Sequence, residues 1–143
     1  MGETAYLSTA AGVLAEALYL QGRYHEAEEW TRTSEQTASP EDTASQIEWR
    51  TVWAKLLARR GAFGEAESLA CAAVAIGRET DDPRTLADAL LGFAEVLELA
   101  GREGEAFPLI EEALGLYQRK EILPSVERAR ARLAALQAPP ATA

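Results

Sequence analysis

Apolar residues recur along this chain in runs of helical period, and the runs themselves repeat. Leu14, Ala15 and Leu18 form a set in which a bulky residue is followed by a small one, with leucine four positions after the first. Trp53, Ala54, Leu57 and Phe93, Ala94, Leu97 repeat that set. Residues spaced in this way share one face of a helix, and the small member lets a neighbouring helix approach closely. A second apolar series follows each set: Trp30, Leu69 and Leu109 correspond, and Ala73 matches Ala113. Between the runs stand three similar segments, Gly22-Arg23-Tyr24-His25-Glu26-Ala27, Gly61-Ala62-Phe63-Gly64-Glu65-Ala66 and Gly101-Arg102-Glu103-Gly104-Glu105-Ala106. Their leading glycines are 39 and 40 residues apart. Each ends one periodic run and opens the next, where a left-handed helix terminus wants a residue without Cβ.

Prolines punctuate the units. Pro40, Pro83 and Pro124 suit the first turn of a following helix, with Ser39 and Asp82 as candidate N-caps. Pro108, four residues past Gly104, is placed by the same logic in a first turn. The pattern predicts seven helices, near 4–21, 24–37, 41–60, 63–79, 84–100, 104–120 and 124–136. They fall into repeats of about 4–39, 41–80 and 83–120 within one domain spanning 1–137. The last helix, with Val126, Ala129, Leu133 and Leu136 on one face and charge on the other, is expected to cap the stack. Residues 138–143, with Pro139-Pro140, read as a disordered tail.

These units resemble tetratricopeptide repeats: Ala27, Ala66 and Ala106 stand where that family keeps its second-helix alanine, after a glycine turn. The resemblance implies an all-α, right-handed solenoid of three helix hairpins plus a C-terminal capping helix. The chain departs from the family pattern in its period, which exceeds the usual 34 residues or so. It also has Ala11, Arg50 and Leu90 in place of the first-helix tryptophan, and polar Thr31 and Ser34 in the first repeat's second helix. The segments 43–50, 54–61, 87–97 and 113–120 are similar to C-terminal repeat tails of large bacterial signalling proteins that carry a nucleotide-cyclase-like or regulatory ATPase domain upstream. No cyclase or ATPase residue can be transferred from that likeness, because none of those motifs is present.

Charge and composition narrow the function. The net charge of −9 disfavours a phosphate backbone as ligand, so nucleic acid is not expected as a partner. The charge is uneven: residues 119–143 carry +3 and residues 1–118 carry −12. The single cysteine allows no internal disulfide and fits a reducing compartment. No apolar run suits a membrane span, and residues 1–20 lack the basic start of a signal peptide, so a cytoplasmic address is expected.

Candidate chemistry is sparse. His25 beside Glu26, Glu28 and Glu29 lacks the convergent ligands a metal site needs, and is read as a solvated side chain. Cys71, between Ala70 and Ala73, is read as a small buried hydrophobe. The glycine pairs at 61/64 and 101/104 are followed by no Lys-Ser or Lys-Thr, so they serve turns rather than phosphates. No catalytic residue, metal or cofactor is expected, and the chain is read as a non-enzyme.

The remaining candidate is a surface. In the family it resembles, the first helix of each hairpin lines a concave face. That correspondence implies Thr9, Gly12, Glu16 and Tyr19 from the first repeat, Glu48, Thr51, Lys55 and Arg59 from the second, and Asp88, Leu91, Glu95 and Glu98 from the third. Five carboxylates against two cations make the groove mildly acidic, suited to a basic or amphipathic protein segment. A lysine–asparagine clamp for a peptide carboxylate is not expected, because the chain contains no asparagine. The competing expectation is a non-catalytic piece of a larger enzyme that packs on other domains of its parent or on a second copy.

Overall fold

The computed structural model describes residues 2–120 and 123–137, with side chains from Tyr6 onward. They form α1 (Gly2–Leu20), α2 (Tyr24–Thr37), α3 (Thr43–Arg59), α4 (Phe63–Arg78), α5 (Pro83–Leu99), α6 (Glu103–Arg119) and α7 (Leu123–Gln137). No strand occurs among the described residues. The expected tail at 138–143 lies outside them.

The three glycine turns are built alike. Gly22, Gly61 and Gly101 have φ of 78°, 82° and 78°, a region that L side chains enter only with strain. The residue after each glycine donates its N–H back to a carbonyl five positions earlier: Arg23 to Leu18, Ala62 to Leu57 and Arg102 to Leu97, at 2.8–3.0 Å. Those bonds satisfy the last helix carbonyls and reverse the chain, so consecutive helices pack as hairpins α1–α2, α3–α4 and α5–α6. Ala27, Ala66 and Ala106 sit at 0% exposure beneath the turns.

First helices also touch first helices. α3 packs on α1 and α5 on α3, whereas the backbones of α2, α4 and α6 stand apart, with the long side chains of Arg78 and Glu112 bridging α4 and α6 as an ion pair at 2.6 Å. A row whose first helices touch while its second helices splay is curved, with α1, α3 and α5 on the inside. Gly12, facing Glu48, and Gly92, facing Thr51, are the small residues at this approach, while Ala54 and Ala94, both at 0% exposure, sit in the clusters that join each first helix to its own second helix. The largest apolar cluster lies at the C-terminal end, where Val126 and Ala129 of α7 join Leu90, Leu97, Ile110 and Tyr117. The last helix therefore covers the end of the stack as expected.

Four sequence readings are corrected or refined. The third helix begins at Thr43 rather than 41: Asp42, not Ser39, caps it, accepting from the Ser45 N–H at 3.2 Å and the Ser45 hydroxyl at 2.8 Å. A carboxylate offers the stronger cap, and Pro40 is left in the preceding turn. Pro108 lies inside α6, past its first turn. The missing N–H frees the Gly104 carbonyl, and both residues are exposed, so water can take that acceptor. Cys71 is exposed, because the buried stripe of α4 is Ala66, Ala70, Ala73 and Gly77 and residue 71 lies about 100° off it.

Thr31 and Ser34 do not weaken the first repeat. Ser8 and Ser34, both fully buried, exchange bonds: each hydroxyl donates to the other residue's backbone carbonyl at 3.1 Å. Thr31 donates to the Ala27 carbonyl at 2.7 Å. Buried hydroxyls satisfied in this way replace an apolar contact between α1 and α2 with a directional one.

Candidate functional site

The inner face of α1, α3 and α5 carries charge that is largely paired across helices. Equivalent positions of neighbouring hairpins stand side by side, so residues about one repeat apart meet. Lys55 on α3, only 5% exposed, places Nζ at 2.9 and 2.8 Å from the two carboxylate oxygens of Glu16 on α1. Its ammonium also lies 4.5 Å from the centre of the Tyr19 ring. Arg59 donates from Nε to the Tyr19 hydroxyl at 2.7 Å, and that hydroxyl in turn donates to Glu95 on α5. Burial, with Glu95 as acceptor, pushes the Tyr19 phenol well above its usual pKa and keeps it a donor. The guanidinium of Arg59 lies 4.0 Å from Glu95 as well.

Two residues outside the expected set complete the network. Arg132 on α7 reaches back to Glu98 at 2.5 Å and to the Leu91 carbonyl at 3.4 Å. Tyr117 on α6, 1% exposed, donates its hydroxyl to Asp88. Asp88 is solvent-accessible as a residue, but crowding around its carboxyl raises its pKa, with the Tyr117 bond, Arg84 and Arg128 opposing.

Glu48 differs from its neighbours. Among the described residues it has neither an ion-pair nor a hydrogen-bond partner. It is wedged against α1: a β-carbon at Gly12 would come within 2.8 Å of its carboxylate. Burial pushes its pKa up to about 7, helped by the like charges of Glu16, Asp88 and Asp42 and opposed by Lys55. The three inner carboxylates Glu16, Glu48 and Asp88 thus form a mutually repelling row across α1, α3 and α5. The helices are close here. Gly92 on α5 faces Thr51 on α3, whose hydroxyl is turned back to the Ile47 carbonyl at 2.8 Å.

The twelve residues expected on the inner face lie on α1, α3 and α5. Tyr19 and Lys55 are buried, and their polar heads are engaged inside the protein. Glu16, Arg59, Glu95 and Glu98 are ion-paired, Asp88 is bonded to Tyr117, and Thr51 is bonded to its own helix. Leu91 is half-buried beside the apolar cluster. The pairings had a signal in the sequence: opposite charges at equivalent repeat positions, such as Glu16 and Lys55, must meet if first helices adjoin. Arg132 had none, because its helix was read as a cap with a solvated charged back.

An open depression of about 460 Å³ lies at the turn end of the groove, lined by Tyr24, Leu56, Arg59, Arg60, Phe63 and Leu99 among others. It is remote from the carboxylate row and brings together no general acid, base or nucleophile. The thiol of the exposed Cys71 is held above its usual pKa by partial desolvation against α4 and by Glu67, which lowers its reactivity. No group of three metal-ligating side chains occurs among the described residues, and no described helix is long and apolar enough to cross a membrane.

Helix hairpins turning on positive-φ glycines, with a buried alanine five positions later and first helices lining the inner face, define a tetratricopeptide-like helical-repeat fold. The solved structure of a TPR-like protein from Chlorobium tepidum is similar over 95% of this chain and 98% of that one, with a TM-score of 0.61 at 22% identity. No protein-family model matches the chain, and no curated protein does so.

Proposed function

We propose that this chain is an interaction scaffold whose concave face takes a basic or amphipathic protein segment, as a docking or regulatory module of a cytoplasmic bacterial signalling protein. The observation that carries the proposal is the Glu16–Glu48–Asp88 row, and Glu48 above all. Near pH 7 its carboxyl is about half protonated, held there by burial and by its neighbours' charge. A lysine or arginine entering the groove would relieve the repulsion and draw the proton off. Binding energy then comes from a charge the free protein keeps suppressed, so affinity should rise with pH through about 7. The signalling assignment rests on the likeness of segments 43–50, 54–61, 87–97 and 113–120 to bacterial signalling tails.

Affinity capture with the intact chain, followed by mass spectrometry, identifies the segment. Titration calorimetry with that segment then compares the wild type with Glu48→Gln and with Glu111→Gln, an exposed change on α6. The expected result is several-fold weaker binding and a flat pH profile for Glu48→Gln alone. Equal losses in both variants, or a pH profile unaffected by Glu48→Gln, would remove the groove from the account.

A further inference from the structure

The N-terminal end of the stack exposes an apolar stripe whose central counterparts in the later hairpins are buried. Tyr6, Val13 and Leu20 on α1 are 78%, 59% and 72% exposed, with exposed Ala10 and half-buried Ala17 between them. The repeat offsets of 39 and 40 residues match these positions to Ser45, Trp49, Val52, Leu56 and Arg59 on α3, and to Thr85, Ala89, Gly92, Val96 and Leu99 on α5. Val52 and Leu56, each 1% exposed, pack with Ala15, Leu18 and Ala27 of the preceding hairpin. Val96 and Ala89, also 1% exposed, do the same one hairpin later, against Ala66 and Ala70 and against Ile47 and Ala73. The stripe on α1 is thus the inter-hairpin contact surface itself, continued to an end where the described residues offer nothing to cover it.

The order of side chains in the stripe indicates what would fit. Positions 6, 10, 13, 17 and 20 step by 4, 3, 4 and 3, the spacing of a seam between two paired helices. Along it bulky and small residues alternate: Tyr6, Ala10, Val13, Ala17, Leu20. An antiparallel copy of the same helix sets Val13 of each copy opposite Ala10 of the other, and Tyr6 opposite Ala17. Tyr6 and Val13 of each copy then meet Ala17 and Ala10 of the other, with Leu20 beyond the paired segment, and these four positions are self-complementary under a two-fold axis, as an isologous dimer requires. None of the five positions bears a charge that the pairing would bury.

We infer that α1 is a homodimerisation helix, pairing antiparallel with α1 of a second copy through Tyr6, Ala10, Val13 and Ala17. The seam is about 17 Å long at 1.5 Å per residue, a small interface, so a dissociation constant in the micromolar range is expected. Analytical ultracentrifugation of the intact chain from about 1 to about 200 µM tests it (a range set by that expectation). The wild type should approach two copies and stop there. Val13→Glu, at a position already more than half exposed, should remain helical by circular dichroism while its dissociation constant rises more than about tenfold. Leu123→Glu, an equally exposed apolar site on α7 at the other end, should dimerise like the wild type. A wild type monomeric throughout the range, open-ended growth beyond two copies, or equal loss in the Val13 and Leu123 variants would each overturn the proposal.

Discussion

Replacing Gly92 with alanine tests the closest approach on the inner face. Glycine in the interior of α5 costs about 1 kcal/mol relative to alanine, so the change should stabilise an isolated helix by that amount. The neighbouring helix opposes it. A β-carbon at residue 92 would stand 2.2 Å from Cγ2 of Thr51, inside any tolerable contact. Thr51 cannot simply swing away, because its hydroxyl is bonded to the Ile47 carbonyl and its β-branch restricts rotation within α3. Overpacking of this kind costs roughly 1–3 kcal/mol, so Gly92→Ala should destabilise by about 1 kcal/mol net, the difference between that cost and the helix gain. Thr51→Ser removes only the offending methyl and keeps the hydroxyl bond. The next nearest Thr51 atom is 3.6 Å away, an ordinary contact, so in a Thr51→Ser background Gly92→Ala should become stabilising by about 1 kcal/mol. The sign reversal corresponds to a coupling of about 2 kcal/mol, well above the additivity error for distant sites. Urea unfolding of the four proteins of the cycle gives the result. If Gly92→Ala stabilised both backgrounds equally, α3 and α5 would not pack at this distance, and the groove geometry would be wrong.

Ser8→Ala and Ser34→Ala should each cost about 0.5–1.5 kcal/mol, one hydrogen bond apiece, and the double variant about their sum, because each hydroxyl donates to a backbone carbonyl that alanine keeps; thermal melts in which Ser8→Ala alone cost as much as the double variant would deny the reciprocal pair. Because the folded pKa of Glu48 lies near 7 against 4.5 for an ordinary glutamate, the folded state binds this proton more tightly. Stability should therefore fall as pH rises from about 4.5 to about 7 and level off above, and Glu48→Gln should flatten that slope in melts across the range. A wild-type slope unchanged in the variant would place the titration elsewhere. Deleting residues 121–143 should uncover Ile110, Leu116 and Tyr117 and cause association visible in light scattering; an unchanged particle size would make α7 an appendage.

The hairpin architecture was legible because its determinants are local. A glycine forced to positive φ and an alanine beneath it act within six residues, and their recurrence at 39 and 40 residues carried the rest. Errors fell where two local signals competed within a few positions. Ser39-Pro40 looked like a cap and first turn, but Asp42 two residues on binds the free N–H groups better. Cys71 was assigned to the core through its neighbours at 70 and 73, yet one residue of offset turns a helix position by about 100°. The Ser8–Ser34 exchange could not be read at all. It depends on the axial register of α1 against α2, which no single helix encodes.

The groove raises a different question, because net charge alone misdescribes it. Every inner-face cation in the expected set is already committed: Lys55 to Glu16, and Arg59 to Tyr19 and Glu95. Arg132 is spent in the same way on Glu98. The groove is therefore polarised along its helices. Near the starts of α3 and α5, Glu48 and Asp88 are crowded carboxylates whose pKa values lie above normal, and Glu48, pushed up to about 7, can hold a proton that a cation would displace. Towards the helix ends, Arg59 lies over the Tyr19 and Tyr24 rings at 5.3 and 5.1 Å, and aromatic and guanidinium groups line the open depression there. A uniformly acidic groove would bind a basic segment in either direction. A polarised one favours a segment with its positive charge at the Glu48 end, and that asymmetry would come from pairing inside the protein rather than from its total of acids and bases.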